Sequence, residues 1–153
     1  MQTSFNLEKN ESRHGKPYNV LGMAVYLKIA ASDTNNEMSM FYSEHFKNES
    51  PPLHSHPVNE TFYVVEGEFL FQSGDERFKA VKGSTVFIPS MMPHTYLTVS
   101  EKGSLLFMVN PAGTVEVLFE RLSSYPAMPS IEEVVRLHEE LGLKILGPPL
   151  SND

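Results

Sequence analysis

The chain has 153 residues, with 19 acidic against 12 basic side chains for a formal charge of -7, and it has no cysteine. That length suits one domain able to bury about 68–70% of the surface its unfolded chain exposes. The negative balance argues against nucleic acid and anionic membrane surfaces as partners, and the missing cysteines exclude disulfides and thiolate metal ligands, in keeping with a cytoplasmic location.

Residues 1–19 are polar, carry Gly15 and Pro17, and show no apolar period, so they read as an arm that frays or lies across a neighbouring surface. From Val20, Met23, Val25, Leu27 and Ile29 alternate with Ala24, Tyr26 and Lys28, the period of a half-buried strand. The stretch Val20 to Ala31 is too short and too interrupted by Lys28 to span a bilayer. Asp33 to Asn36 reads as a turn and Met38 to Phe46 as a second strand. Further strands are predicted around His54, from Glu60 to Val65, at Glu68–Gln72, Phe78–Val81, Ser84–Ile88, His94–Val99 and Leu105–Val109, with Glu66-Gly67, Ser73-Gly74-Asp75 and Lys82-Gly83 as turns. Short strands at regular spacing indicate a closed or sandwiched antiparallel barrel over residues 20–112, an all-β fold.

After Asn110-Pro111 the pattern changes. Val115, Leu118, Phe119 and Leu122 fall at helical spacing, so Thr114 to Ser123 is predicted as a helix. Ser130-Ile-Glu-Glu133 is a capping box opening a second helix whose face is Ile131, Val134, Val135, His138 and Leu141, with Gly142 placed to end it. The tail through Gly147-Pro148-Pro149 reads as extended chain, and residues 113–153 as a helical extension of the same domain.

The chemistry concentrates between His54 and His94. His54 and His56 lie two apart, so on a strand both imidazoles face one side, and Glu60 shares their parity if the chain stays extended through Pro57. With His94 they make three imidazoles and one carboxylate, a donor set for a zinc, iron, manganese, nickel or copper ion rather than calcium or magnesium. Left without a metal, that set would put several polar groups into a small barrel. Phe62 and Val64 share Glu60's parity, and Tyr96 and Thr98 share that of His94, which nominates these four as walls of a mostly apolar substrate pocket. His14, His45 and His138 stand outside the pattern and read as surface or packing residues.

The motif resembles that of the cupins, metal-binding β-barrels with a first motif G(x)5HxH(x)3-4E(x)6G and a second motif G(x)5PxG(x)2H(x)3N. The first is matched at His54, His56, Glu60 and Gly67, with Asn48 in place of the leading glycine. The second is matched at Gly83, Pro89 and His94, with Met91 for the inner glycine and Thr98 for the trailing asparagine. With Asp33-Thr34 and Pro51-Pro52, the chain is most similar to single-domain, quercetin-dioxygenase-like cupins. The resemblance implies a jelly-roll β-barrel with short C-terminal helices, one divalent transition metal ion on His54, His56, Glu60 and His94, and a homodimer. It also implies an oxidoreductase in which Glu60 accepts a proton from a small enol, phenol or carboxylate substrate. A metal-assisted binding module without turnover, and a non-redox isomerase or lyase using Glu60 or Tyr96 as the proton carrier, are the competing readings.

Overall fold

The computed structural model describes residues 2–152; Met1 and Asp153, the ends of the expected arm and tail, lie outside them. Among the described residues eleven strands form two antiparallel sheets. β1 (Tyr18–Val20), β2 (Met23–Ile29), β3 (Ser39–Phe46), β10 (Lys102–Asn110), β5 (Asn59–Glu66) and β8 (Thr85–Ile88) make the first, in that spatial order. β11 (Lys144–Pro149), β4 (Pro52–Ser55), β9 (His94–Thr98), β6 (Glu68–Ser73) and β7 (Glu76–Val81) make the second. The expected jelly roll is what forms, and alternation along the strands decides its interior. Val25 and Leu27 of β2, Phe62 and Val64 of β5, Phe69 and Phe71 of β6, and Leu105 and Phe107 of β10 are buried between the sheets. Aromatic rings fill the middle: Phe62 lies 5.2 Å from Phe71 and 5.5 Å from Phe107 between ring centroids, and Phe41 stacks on Phe107 at 5.1 Å.

Several expectations change. The end of the polar arm is itself a strand, since β1 pairs with β2. The rest of the arm is tied to this chain's own barrel: Lys28 Nζ donates to the carbonyls of Glu8, Lys9 and Glu11 (2.8, 2.8 and 2.6 Å), and Arg13 pairs with Asp33 in a fork of hydrogen bonds. The tail, read as plain extended chain, is β11, hydrogen-bonded along β4 with Ile145 opposite His54. Its prolines hid it, because prolines fit only edge strands, and β11 is an edge.

The helices form where the periodicity placed them, as α1 (Val115–Ser123) and α2 (Ile131–Glu140). The capping box is present: the Glu133 N–H donates to Ser130 Oγ (3.2 Å) and the Ser130 N–H to Glu133 Oε2 (2.7 Å). Val115, Leu118, Leu122, Val134 and Leu137 join the barrel's core, and Phe119 meets Phe41 edge-on at 5.0 Å. The extension is therefore built onto one end of the barrel by apolar burial.

Gly67, which closes the first motif between β5 and β6, has φ +85°, and a Cβ there would lie 2.5 Å from the Lys102 carbonyl oxygen. Gly67→Ala combines left-handed strain with a main-chain clash. It should lower stability by more than ~1 kcal/mol, read as a shift of the urea midpoint at constant slope; an unmoved midpoint would show that the turn yields freely.

Candidate metal centre

The four motif side chains converge, though by a different route from simple strand parity. His54 sits on β4 in the five-stranded sheet, directly opposite His94 of β9. The chain leaves β4 at Ser55 and enters β5, in the other sheet, at Asn59. Glu60 therefore approaches from the facing sheet, with His56 on the crossover between them. One ligand atom from each of His54, His56, Glu60 and His94 lies within 4.8 Å of all the others. Ring centroids of His54 and His94 are 4.3 Å apart and those of His56 and His94 4.9 Å.

Main-chain carbonyls fix how each imidazole points. His54 Nδ1 lies 2.7 Å from the Pro52 carbonyl, His56 Nδ1 3.2 Å from that of Val58, and His94 Nδ1 2.8 Å from that of Met92. A carbonyl only accepts, so each Nδ1 carries the hydrogen and each neutral ring turns the Nε2 lone pair inward. His56 Nε2 and His94 Nε2 then lie 2.7 and 3.0 Å from the same oxygen, Glu60 Oε2. Acceptor would face acceptor there unless the rings take second protons or a cation lies among them. A divalent ion satisfies all four groups with the imidazoles neutral, so the donor set fits one.

The electrostatics follow from burial. Burial, then the neighbouring His94, pushes His54 down to about 3, leaving it neutral. Burial also works against the His56 imidazolium, but the hydrogen bond and charge of Glu60 outweigh it and raise its pKa. Burial alone would raise Glu60; the hydrogen bonds from His56 and His94 hold it well below the usual carboxylate range instead.

The motif's two departures from glycine are absorbed by the backbone. Asn48 adopts φ +71° and Met91 φ +70°, the left-handed geometry a glycine would supply. For Met91 this costs about 1–2 kcal/mol. The turn it completes sends the Met91 N–H to the His56 carbonyl (2.8 Å) and so holds the His94 approach against the crossover.

His54, His56 and Glu60 open onto a cavity of about 70 Å³. Leu118, Phe119 and Leu122 of α1, His138 of α2, and Leu143 and Ile145 beyond it line the far side. An apolar groove of about 550 Å³ adjoins it, sharing Leu21, Pro52 and Ile145 as common walls and continuing along Ile131, Val134 and Val135 to Pro148. The residues nominated as pocket walls are placed elsewhere. Phe62, Val64, Tyr96 and Thr98 do face the barrel interior, but all are buried in its packed centre, and none lines this cavity. The Tyr96 hydroxyl points to His45 Nε2 (3.5 Å), which also meets Ser43 Oγ at 2.7 Å. Burial, reinforced by Glu60 and Glu49, keeps the Tyr96 phenol protonated. His45 is a core residue apart from the ligand set, and His14 is exposed. His138, read from sequence as surface or packing, is a cavity wall; only the folding of α2 over the barrel end could show it.

Metal binding should displace the raised proton of His56, so affinity should climb with pH. In chelated protein the two shifted groups act oppositely. His56 contributes stability that is present below its ordinary value of about 6.5 and lost as pH rises through its higher folded value; Glu60 contributes stability present above about 4.3 and lost only as pH falls through its lower folded value. Melting temperatures with and without chelator should therefore diverge progressively from about pH 5 to pH 8. His56→Ala should abolish both the divergence and the bound metal; coincident curves at pH 8 would count against an occupied site.

Comparison with known proteins agrees with this fold. Residues 45–110 match the family model described as the cupin domain. An uncharacterized protein of Methanocaldococcus jannaschii is 40% identical over 43 residues, 28% of this chain, and the match spans only 34% of that relative's length. Among solved structures, an RmlC-like cupin of Shewanella frigidimarina aligns with a TM-score of 0.58 at 22% identity, covering 73% of this chain and 96% of that one. The polyketide cyclase RemF of Streptomyces resistomycificus aligns at 0.60 and 18% identity over 71% and 80%. A predicted oxalate decarboxylase of Thermotoga maritima aligns at 0.56 and 17% identity over 61% and 87%. Among the described residues no helix is long and apolar enough to cross a membrane. The motif, the two-sheet barrel and the matched family model together identify a cupin domain within the chain, at residues 45–110.

Proposed function

We propose that the chain is a mononuclear, metal-dependent oxidoreductase of the dioxygenase-like kind, acting on a small molecule with an enol, phenol or carboxylate head group and an apolar body. The observation that carries this reading is the convergence of His54, His56, Glu60 and His94 at the inner end of a cavity that adjoins an apolar groove. Three neutral imidazoles and one carboxylate leave a divalent ion with a net charge of about +1 in apolar surroundings, which favours an oxyanion as its further ligand. A redox-active ion held there would supply electron transfer to dioxygen, and any divalent ion would supply Lewis acidity toward the substrate oxyanion.

The protein's own contribution is placement and exclusion. About 70 Å³ accommodates a head group but not a whole organic molecule, so the substrate body would lie in the groove against Ile131, Val134 and Val135. Leu118, Phe119 and Leu122 keep bulk water from the head group. Glu60 Oε2 is engaged by two imidazoles, whereas Oε1 has no hydrogen-bond partner among the described residues and is the oxygen able to receive a substrate proton.

A non-redox isomerase or lyase is the second reading, and one observation favours it. The sequence shows no second acid and base pair at a recognisable spacing, and Tyr96 lies outside the cavity, yet the fold brings His138 into it beside Glu60.

Elemental analysis of the purified, untagged protein should give close to one equivalent of iron, manganese, nickel or copper per chain, and turnover of a flavonol such as quercetin or of a simple enol should stop under anaerobic conditions. Unchanged anaerobic turnover would overturn the oxidative reading in favour of Lewis-acid chemistry. A full equivalent of zinc with ligand binding but no turnover would leave a binding module.

A further inference from the structure

His138 is the one titratable side chain of the cavity wall that lies outside the metal-ligand set; the others lining it are His54, His56 and Glu60, and no lysine or arginine is among them. α2 delivers it. Ile131, Val134 and Val135 of that helix line the apolar groove, and His138 follows on the same face one turn later, where groove gives way to cavity. The residue is only 6% exposed. Its Nδ1 lies 2.7 Å from the Val134 carbonyl of its own helix, so Nδ1 carries the hydrogen and Nε2 presents a lone pair.

Among the described residues nothing donates to that lone pair. With Nδ1 held by its own helix, the unpaired Nε2 is the ring atom left to face the cavity that His138 lines. Burial, with a further contribution from His56, lowers the pKa of His138, so the ring is neutral at pH 7 and its Nε2 lone pair is free.

We propose that His138 Nε2 is the hydrogen-bond and proton acceptor for the hydroxyl of the enol or phenol that enters the metal cavity, an inference that rests on the ligand class proposed above. The ligand O–H bond breaks with both electrons left on oxygen, and the proton passes to Nε2. The resulting imidazolium keeps its Nδ1–H bond to Val134 and lies in the last turn of α2, where the helix dipole favours a cation. His138 thus takes this hydroxyl proton from the helix side of the ligand, and Glu60 Oε1, on the barrel side, is left for a second substrate proton.

The test uses metal-loaded protein and two probes: catechol, which arrives protonated at pH 7, and benzoate, which has no proton to give. Calorimetric titration in two buffers of different ionisation heat reads both affinity and the protons released. Wild type should bind catechol with little proton release. His138→Leu should bind it at least about tenfold more weakly and release about one proton to the buffer, and His138→Gln should release the proton with a smaller loss of affinity. Benzoate binding, metal content and melting temperature should be unchanged in both variants. Catechol affinity and proton count that match wild type in both variants would overturn the role of His138 alone, as would loss of metal from the variants. Failure of wild type to bind either probe would overturn the proposed ligand class and this inference with it.

Discussion

Everything at this site depends on three imidazole rings being held edge-on by main-chain carbonyls two residues away. Pro52, Val58 and Met92 each accept from an Nδ1–H, so no ring can rotate its Nε2 away without stranding a buried donor. The carbonyls belong to strand ends and to the crossover, which means that the tautomers are set by the fold rather than by whatever occupies the centre. Glu60 completes the arrangement from the opposite sheet. A carboxylate in so apolar an interior is tolerable only when the two rings that reach one of its oxygens carry second protons or a cation lies among them.

The aromatic core and the candidate metal centre are two uses of the same inward-facing positions. On β5, Glu60 and Phe62 point to the same side, but Glu60 stands at the barrel end that α1 and α2 cover while Phe62 is locked among Phe71, Phe107 and Tyr96. On β9, His94 and Tyr96 divide in the same way, and Tyr96 turns its hydroxyl to His45 instead of to the ligands. Position along the strand, more than the face it presents, separates binding site from core.

The C-terminal extension converts an open barrel end into a chamber. β11 pairs along β4 beside His54, α1 lays Leu118 and Leu122 over the centre, and α2 adds a single polar group, His138, to an otherwise apolar wall. The backbone tolerates departures from the family motif where they matter least: Asn48 and Met91 take up left-handed geometry at turns, and the four ligands are unmoved by either. Met91 bears real strain, which its hydrogen bond to the His56 carbonyl helps to offset.

By itself the sequence determined the candidate ligand cluster, the barrel and the helices. The spacing of His54, His56, Glu60 and His94, the period-two runs of β2 and β5, and the capping box of α2 are local patterns, each legible because the physics behind it acts over a few residues. What only the tertiary structure decided is which surfaces meet. Parity placed Phe62, Val64, Tyr96 and Thr98 on the inner face but could not say how far along the barrel the packing closes. The prolines of β11 masked a strand whose partner lies about 90 residues earlier in the chain. His138 belongs to an amphipathic helix, and its period shows that it is turned inward; only the docking of that helix over the barrel end reveals that inward means toward the cavity that His54, His56 and Glu60 also line.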